Sequence, residues 1–120
     1  MWILGHLIES EDDLSKYLGK GKMIFPQYEK VFGQGSKLMP PDKYPPIQQL
    51  REEWKKVIEK NNKLLLTVSD VEWNEPPCLE SGSDDFFRTK GRCVMIWILH
   101  QMYHAGQLAI ILSKAGKAGF

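Results

Sequence analysis

Apolar residues return at helical intervals in three stretches of the chain, and two irregular connections separate those stretches. In the first, from about Trp2 to Leu18, Ile3, Leu7, Leu14 and Leu18 recur on one face, and Gly19 and Gly21 end the pattern. In the second, "YPPIQQLREEWKKVIEKNNKLLLTVSD", Ile47, Leu50, Trp54, Val57, Asn61, Leu64 and Val68 alternate steps of three and four. Proline stands in its first turn, and lysines and glutamates fill its other face, with Glu52–Lys56 and Glu59–Lys63 spaced to pair. That is an amphipathic helix laid on a core. The third, from about Lys90 to Lys114, is apolar almost all round at its centre, which predicts the most buried element of the fold. No stretch alternates as a strand would, so the pattern predicts an all-α protein.

The connections are long. Residues 20–43 carry glycine and proline throughout and predict at most one short turn, around Tyr28 to Phe32. A connection of that length inside a helical domain suggests a crossover between helices that are not hairpin partners. Residues 70–87, with paired prolines, Gly82, Asp84 and Asp85, read as loop. There is no internal repeat, and 120 residues suit a single domain spanning 1–120.

Charge narrows the class. The formal net charge is +1 and the lysines are dispersed, so the concentrated positive field that nucleic acid requires is missing. No apolar run approaches the roughly 20 residues that span a bilayer. The opening "MWILGHLIESEDD" has no basic n-region, which predicts a cytoplasmic protein with reduced thiols. Cys78 and Cys93 form neither a CxxC nor a zinc knuckle, though one disulfide could link them.

The chemistry rests on histidine. The chain has three, and His100 and His104 stand four apart in the oily run "WILHQMYHAGQLAIIL". Residues so spaced lie one turn above each other on a helix, where two imidazoles can converge on one ion. The zinc-protease motif H-E-x-x-H shares this spacing, but Gln101 replaces its glutamate base, so that reaction is set aside. His6 lies in the equally apolar "WILGHLIES". If both helices turn these faces inward, His6, His100 and His104 form a three-nitrogen cap that leaves coordination positions open, as reactive sites do. The competing reading is three hydrogen-bonded core histidines with no metal.

At these residues the chain resembles a known family. "HQMYHAGQL" is similar to the H-x-x-x-H-x-G-Q-[IL] signature of the DinB-like (YfiT-type) superfamily, and "WILGHL" resembles the W-x-x-x-H-[LI] of its earlier helix. The resemblance covers nearly the whole chain. It implies a four-helix bundle with a long crossover, holding a divalent metal ion (zinc, nickel or iron) on His6, His100 and His104. Members with an assigned activity depend on thiols: transferases using low-molecular-weight thiols such as bacillithiol, and a mycothiol-dependent isomerase. The family has a helix before the one bearing the first histidine, and this chain starts at Met1-Trp2, on the second. The expectation is that the first helix is missing or supplied by a partner chain. A three-helix remnant would expose Trp2, Ile3 and part of the central helix, which predicts a homodimer.

Other residues are weighed against plainer roles. Glu9, three after His6, suits an extra ligand or an acid/base, although a surface glutamate is the commoner case. Gln107 could hydrogen-bond a ligand or a metal-bound water, and Gly106 could admit a neighbouring helix. Cys93 is about 10 Å down the axis from His100, too far to ligate, and reads as core. Trp97 and Tyr103 are expected to pack, with the mouth of the site as the alternative place for Tyr103. The sequence therefore predicts a metal-dependent thiol transferase acting on small electrophiles. Its rival is a non-catalytic metal-binding module of the stress response whose output is dimerisation. A pocket beside the metal favours the first, and a sealed metal favours the second.

Overall fold

The computed structural model describes residues 1–78 and 86–117. Four α-helices follow in order: α1 (Trp2–Leu18), the short α2 (Glu29–Phe32), α3 (Ile47–Leu65) and α4 (Lys90–Lys114). Single 3-10 turns stand at Pro26–Tyr28, Pro41–Lys43 and Glu72–Asn74, and there is no strand among the described residues. The periodicity placed the three long helices correctly. Gly82, Asp84 and Asp85 lie outside the described residues.

The helix ends have local causes. Gly19 adopts φ +64°, and the N–H groups of Gly19 and Lys20 return to the carbonyls of Lys16 and Ser15. This left-handed cap closes α1 and suits glycine, which has no Cβ to clash. α3 starts just after the proline pair and not within it. Thr89 caps α4 by accepting from the Arg92 N–H at 3.2 Å.

α1 is the element to which α2, α3 and α4 all attach. On one side Ile8 packs with Tyr28, Phe32, Leu50 and Val57. On the other, Leu14 and Leu18 meet Leu64, Cys93 and Trp97. Between the two clusters lies a buried polar layer that fixes the register. Asp12, fully buried, accepts from the N–H groups of Ile24 and Phe25 (2.9 and 2.6 Å) and from Lys60 Nζ at 2.6 Å. Glu11 accepts from Asn61 of α3 and Gln101 of α4, so one carboxylate ties three helices. Burial raises the Glu11 carboxyl above its ordinary range, and these two donors oppose that rise.

The expectation that α4 is the most buried helix is wrong. Lys90, Cys93, Trp97 and His104 are its buried residues, whereas Met95, Ile98, Leu99, Met102, Ile110 and Ile111 are each more than half exposed. An all-round apolar helix shows no preferred face, so its sequence cannot tell which side has a neighbour. The exposed apolar surface was expected at Trp2, Ile3 and the central helix. Trp2 and Ile3 are instead partly covered, and the patch lies on α4. Cys78 and Cys93 are not joined in a disulfide. Cys93 is fully buried, as a core residue should be.

Candidate metal centre

α1 and α4 bring all three histidines together. One nitrogen from each of His6, His100 and His104 can be chosen so that the set lies within 4.8 Å. His100 Nε2 is 3.2 Å from His6 Nε2 and 2.9 Å from His104 Nε2. Nitrogens held at 2.0–2.1 Å by a tetrahedral zinc ion would stand roughly 3.3 Å apart; the two His100 pairs are already near that spacing, whereas the His6–His104 pair, within 4.8 Å, must close by up to about 1.5 Å.

The ring tautomers favour the same reading. His6 Nδ1 is 2.8 Å from the Phe32 carbonyl, which can only accept, so Nδ1 carries the proton and Nε2 keeps its lone pair. His104 Nδ1 donates in the same way to Gln107 Oε1 at 2.7 Å, and Gln107 Nε2 in turn donates to Tyr103 Oη at 3.1 Å. Two Nε2 lone pairs therefore point at His100 Nε2, which as a neutral ring can donate to only one of them. A cation accepts all three. Burial, then the neighbouring His104 and His6, push the His100 ring down to about 4, so it is neutral near pH 7, as a ligand must be. Core histidines would turn both ring nitrogens to other partners; His6 and His104 turn one outward to an acceptor oxygen and the other inward to His100.

Local packing sets His6. Its ring stacks on Trp2 at 4.8 Å between centroids, and the Trp2 indole N–H donates to Ser36. Gly5 sits against Phe32 so closely that a Cβ would come within 2.2 Å of the ring. That approach lets the Phe32 carbonyl reach His6. The sequence reading passed over Gly5, yet a glycine one residue before a histidine inside a helix is a signal, since it costs about 1 kcal/mol there.

The histidines line one end of a cavity of about 560 Å³, which runs along α1 and α4. Glu9, Asp13 and Tyr17 of α1 continue its wall, and Phe87, Trp97 and Tyr103 face them. Glu9 was expected at the surface; it is 7% exposed, and its Oε2 is 3.5 Å from His6 Nδ1. Asp13 was not singled out at all. Burial, and after it the charge of Glu9, lift its carboxyl to about 6. Trp97 packs as expected, but Tyr103 is 63% exposed at the cavity mouth. Gly106 faces open space with no helix against it.

The model of the DinB superfamily matches residues 1–108. No curated protein and no solved structure matches the chain.

Proposed function

The chain belongs to the DinB superfamily, and on that premise we propose that it is a divalent-metal-dependent enzyme joining a low-molecular-weight thiol to a small electrophile. The observation that carries this reading is the opening of the three histidines onto a cavity of about 560 Å³. Pockets of roughly 300–1,000 Å³ hold small ligands, and a purely structural or storage site has no use for one. His6, His100 and His104 would hold the ion, with zinc, nickel and iron all suited to neutral imidazoles. When bound, the ion supplies Lewis acidity that favours the thiolate form of the cosubstrate. Sulfur then forms a bond to the electrophilic carbon, and the leaving group departs with its electron pair while the thiol proton passes to solvent.

This chain's own residues orient and enclose. Phe32 and Gln107 fix the outer imidazoles, Trp2 covers His6, and Trp97, Phe87 and Tyr17 keep the far end of the cavity apolar. Two cysteines that are not joined to each other suit a reducing cytoplasm. Metal analysis of the purified protein beside His100→Ala and His104→Ala tests the ligand set. Disappearance of a chromogenic haloarene in the presence of small thiols tests the reaction. About one ion per chain, lost in both variants, with metal-dependent thiol consumption, is the expected result. A metal-loaded protein inert to every thiol and haloarene pair would favour the binding-module reading.

We also propose that two copies pair through α4. Met95, Ile98, Leu99, Met102, Gly106 and Ile110 follow helical steps along one exposed stripe. The large residues of that stripe are each more than half exposed, and a contiguous apolar patch of that kind marks an interface. The bare Gly106 at its centre permits a second helix to approach. Sedimentation equilibrium should report a dimer at micromolar concentration that Met102→Glu converts to monomer. A wild-type monomer would refute the pairing.

A further inference from the structure

The charged residues lining the cavity are Glu9 and Asp13, with no lysine or arginine among the lining residues. They stand one turn apart on α1, with Cβ atoms about 5–6 Å apart, a gap that one ammonium group with three donors can bridge. Glu9 is more than nine-tenths buried. Its donors are weak: the Ser10 hydroxyl at 3.4 Å and His6 Nδ1 at 3.5 Å, whose proton is already directed at the Phe32 carbonyl. No lysine or arginine lies within 4 Å of either carboxylate among the described residues. Two carboxylates and no basic side chain on one cavity wall favour a cationic ligand; an ion on the histidines would stand near Glu9 through His6, whereas Asp13, one turn farther along α1, has no such neighbour.

Beyond the carboxylates the wall turns aromatic. Tyr17 packs on Trp97 at 4.8 Å and on Phe87 at 4.9 Å between centroids, and Phe87 reaches Trp97 at 5.9 Å. Three rings in mutual contact offer both apolar area and electron-rich faces that attract cations.

We propose that the cavity takes an organic amine, its ammonium between Glu9 and Asp13 and its apolar body against Tyr17, Phe87 and Trp97. This rests on the reading of the cavity as the reaction site, and it names the class of the substrate or cosubstrate held there. Glu9 and Asp13 act as specificity residues: they attract a cation and repel a carboxylate of the same shape. In the absence of ligand, Glu9, Glu29 and Asp12 all oppose ionisation of Asp13, with only Lys16 of the same helix favouring it. An arriving ammonium reverses that balance.

The test uses full-length protein stripped of metal with a chelator, so that an amine cannot bind by coordination. Isothermal titration with phenethylamine is compared with 2-phenylethanol and 3-phenylpropionate, which keep the ring and change the charge. Phenethylamine should bind at least tenfold more tightly than the alcohol, the carboxylate should not bind, and Asp13→Asn should weaken the amine at least tenfold. Asp13→Asn is chosen because it keeps shape and removes charge at a position with no internal ion pair; Glu9→Gln is the second variant, expected to act likewise. Equal binding of amine and alcohol, unchanged affinity in Asp13→Asn, or no amine binding at millimolar concentration overturns the proposal. The His104→Ala protein separates this from the metal reading. It should lose the ion and keep the amine, so a protein that binds amine but never metal refutes only the metal, and the converse refutes only the amine.

Discussion

Asp13→Asn should make the protein more stable. A carboxyl held at about 6 instead of its ordinary 3.8 is one that the folded state penalises in its charged form. At 1.36 kcal/mol per pH unit, that displacement corresponds to an upper bound of about 3 kcal/mol near pH 7. Asp13 is only partly buried and faces an open cavity, and solvent screening there reduces the figure to about 1–1.5 kcal/mol. Asparagine keeps the volume and removes the charge, so the variant recovers that amount, a rise of about 3–8 °C in Tm for a domain of this size. The sign with pH follows from linkage. Because the folded pKa lies above the unfolded one, the folded wild-type protein binds the extra proton, and stability falls as pH rises from about 4 through about 6. The variant lacks this loss, so its advantage should be full at pH 7.5 and vanish by about pH 4. Thermal unfolding of metal-free protein followed by circular dichroism across that range measures it. An equal Tm for the two proteins at pH 7.5, or an advantage undiminished at pH 4, would refute the account of Asp13 as a group kept at a cost to stability for use in the cavity.

Three further outcomes are expected. Gly5→Ala gains helix propensity but drives a methyl into the Phe32 ring, for a net loss of about 1–2 kcal/mol in denaturant unfolding, together with weaker metal binding because the Phe32 carbonyl shifts from His6; unchanged stability would mean that the ring moves freely. Gln107→Leu removes the acceptor of His104 Nδ1 and should lower metal affinity about 10- to 100-fold by competition with a chromogenic chelator. Asp12→Ala removes the carboxylate partner of Lys60, which keeps only the Ser15 hydroxyl and the residue-12 carbonyl, and takes the acceptor from the Ile24 and Phe25 N–H groups; it should cost about 3–5 kcal/mol, read by urea unfolding.

Much of this was legible in the sequence because it is local. The spacing of His100 and His104 is fixed by helix geometry alone, and Gly19 marks a helix end by its own conformational preference. His6 stood out because an imidazole in an oily helical run needs a reason. What escaped depends on partners distant in the chain. Gly5 meets Phe32 through a connection whose path no periodicity describes. Glu9 was expected at the surface, yet it is buried, as are its neighbours Glu11 and Asp12, which Asn61, Lys60 and Gln101 arrive from other helices to meet. The error over α4 has the same root: periodicity reports how apolar a face is, not whether anything covers it.

The hydrogen bond from His6 to the Phe32 carbonyl joins the three-histidine site to α2 in the long connection. An ion drawing electron density from Nε2 makes the Nδ1 proton more acidic and the bond to that carbonyl stronger. Part of the binding free energy is thereby deposited in residues 26–33, which touch no ion themselves. Occupancy of the site is then readable as slower amide exchange in that segment, and conversely any change that loosens the connection reports as a weaker grip on the metal. The irregular crossover is, in thermodynamic terms, a fourth participant in the site, coupled to it through a single proton.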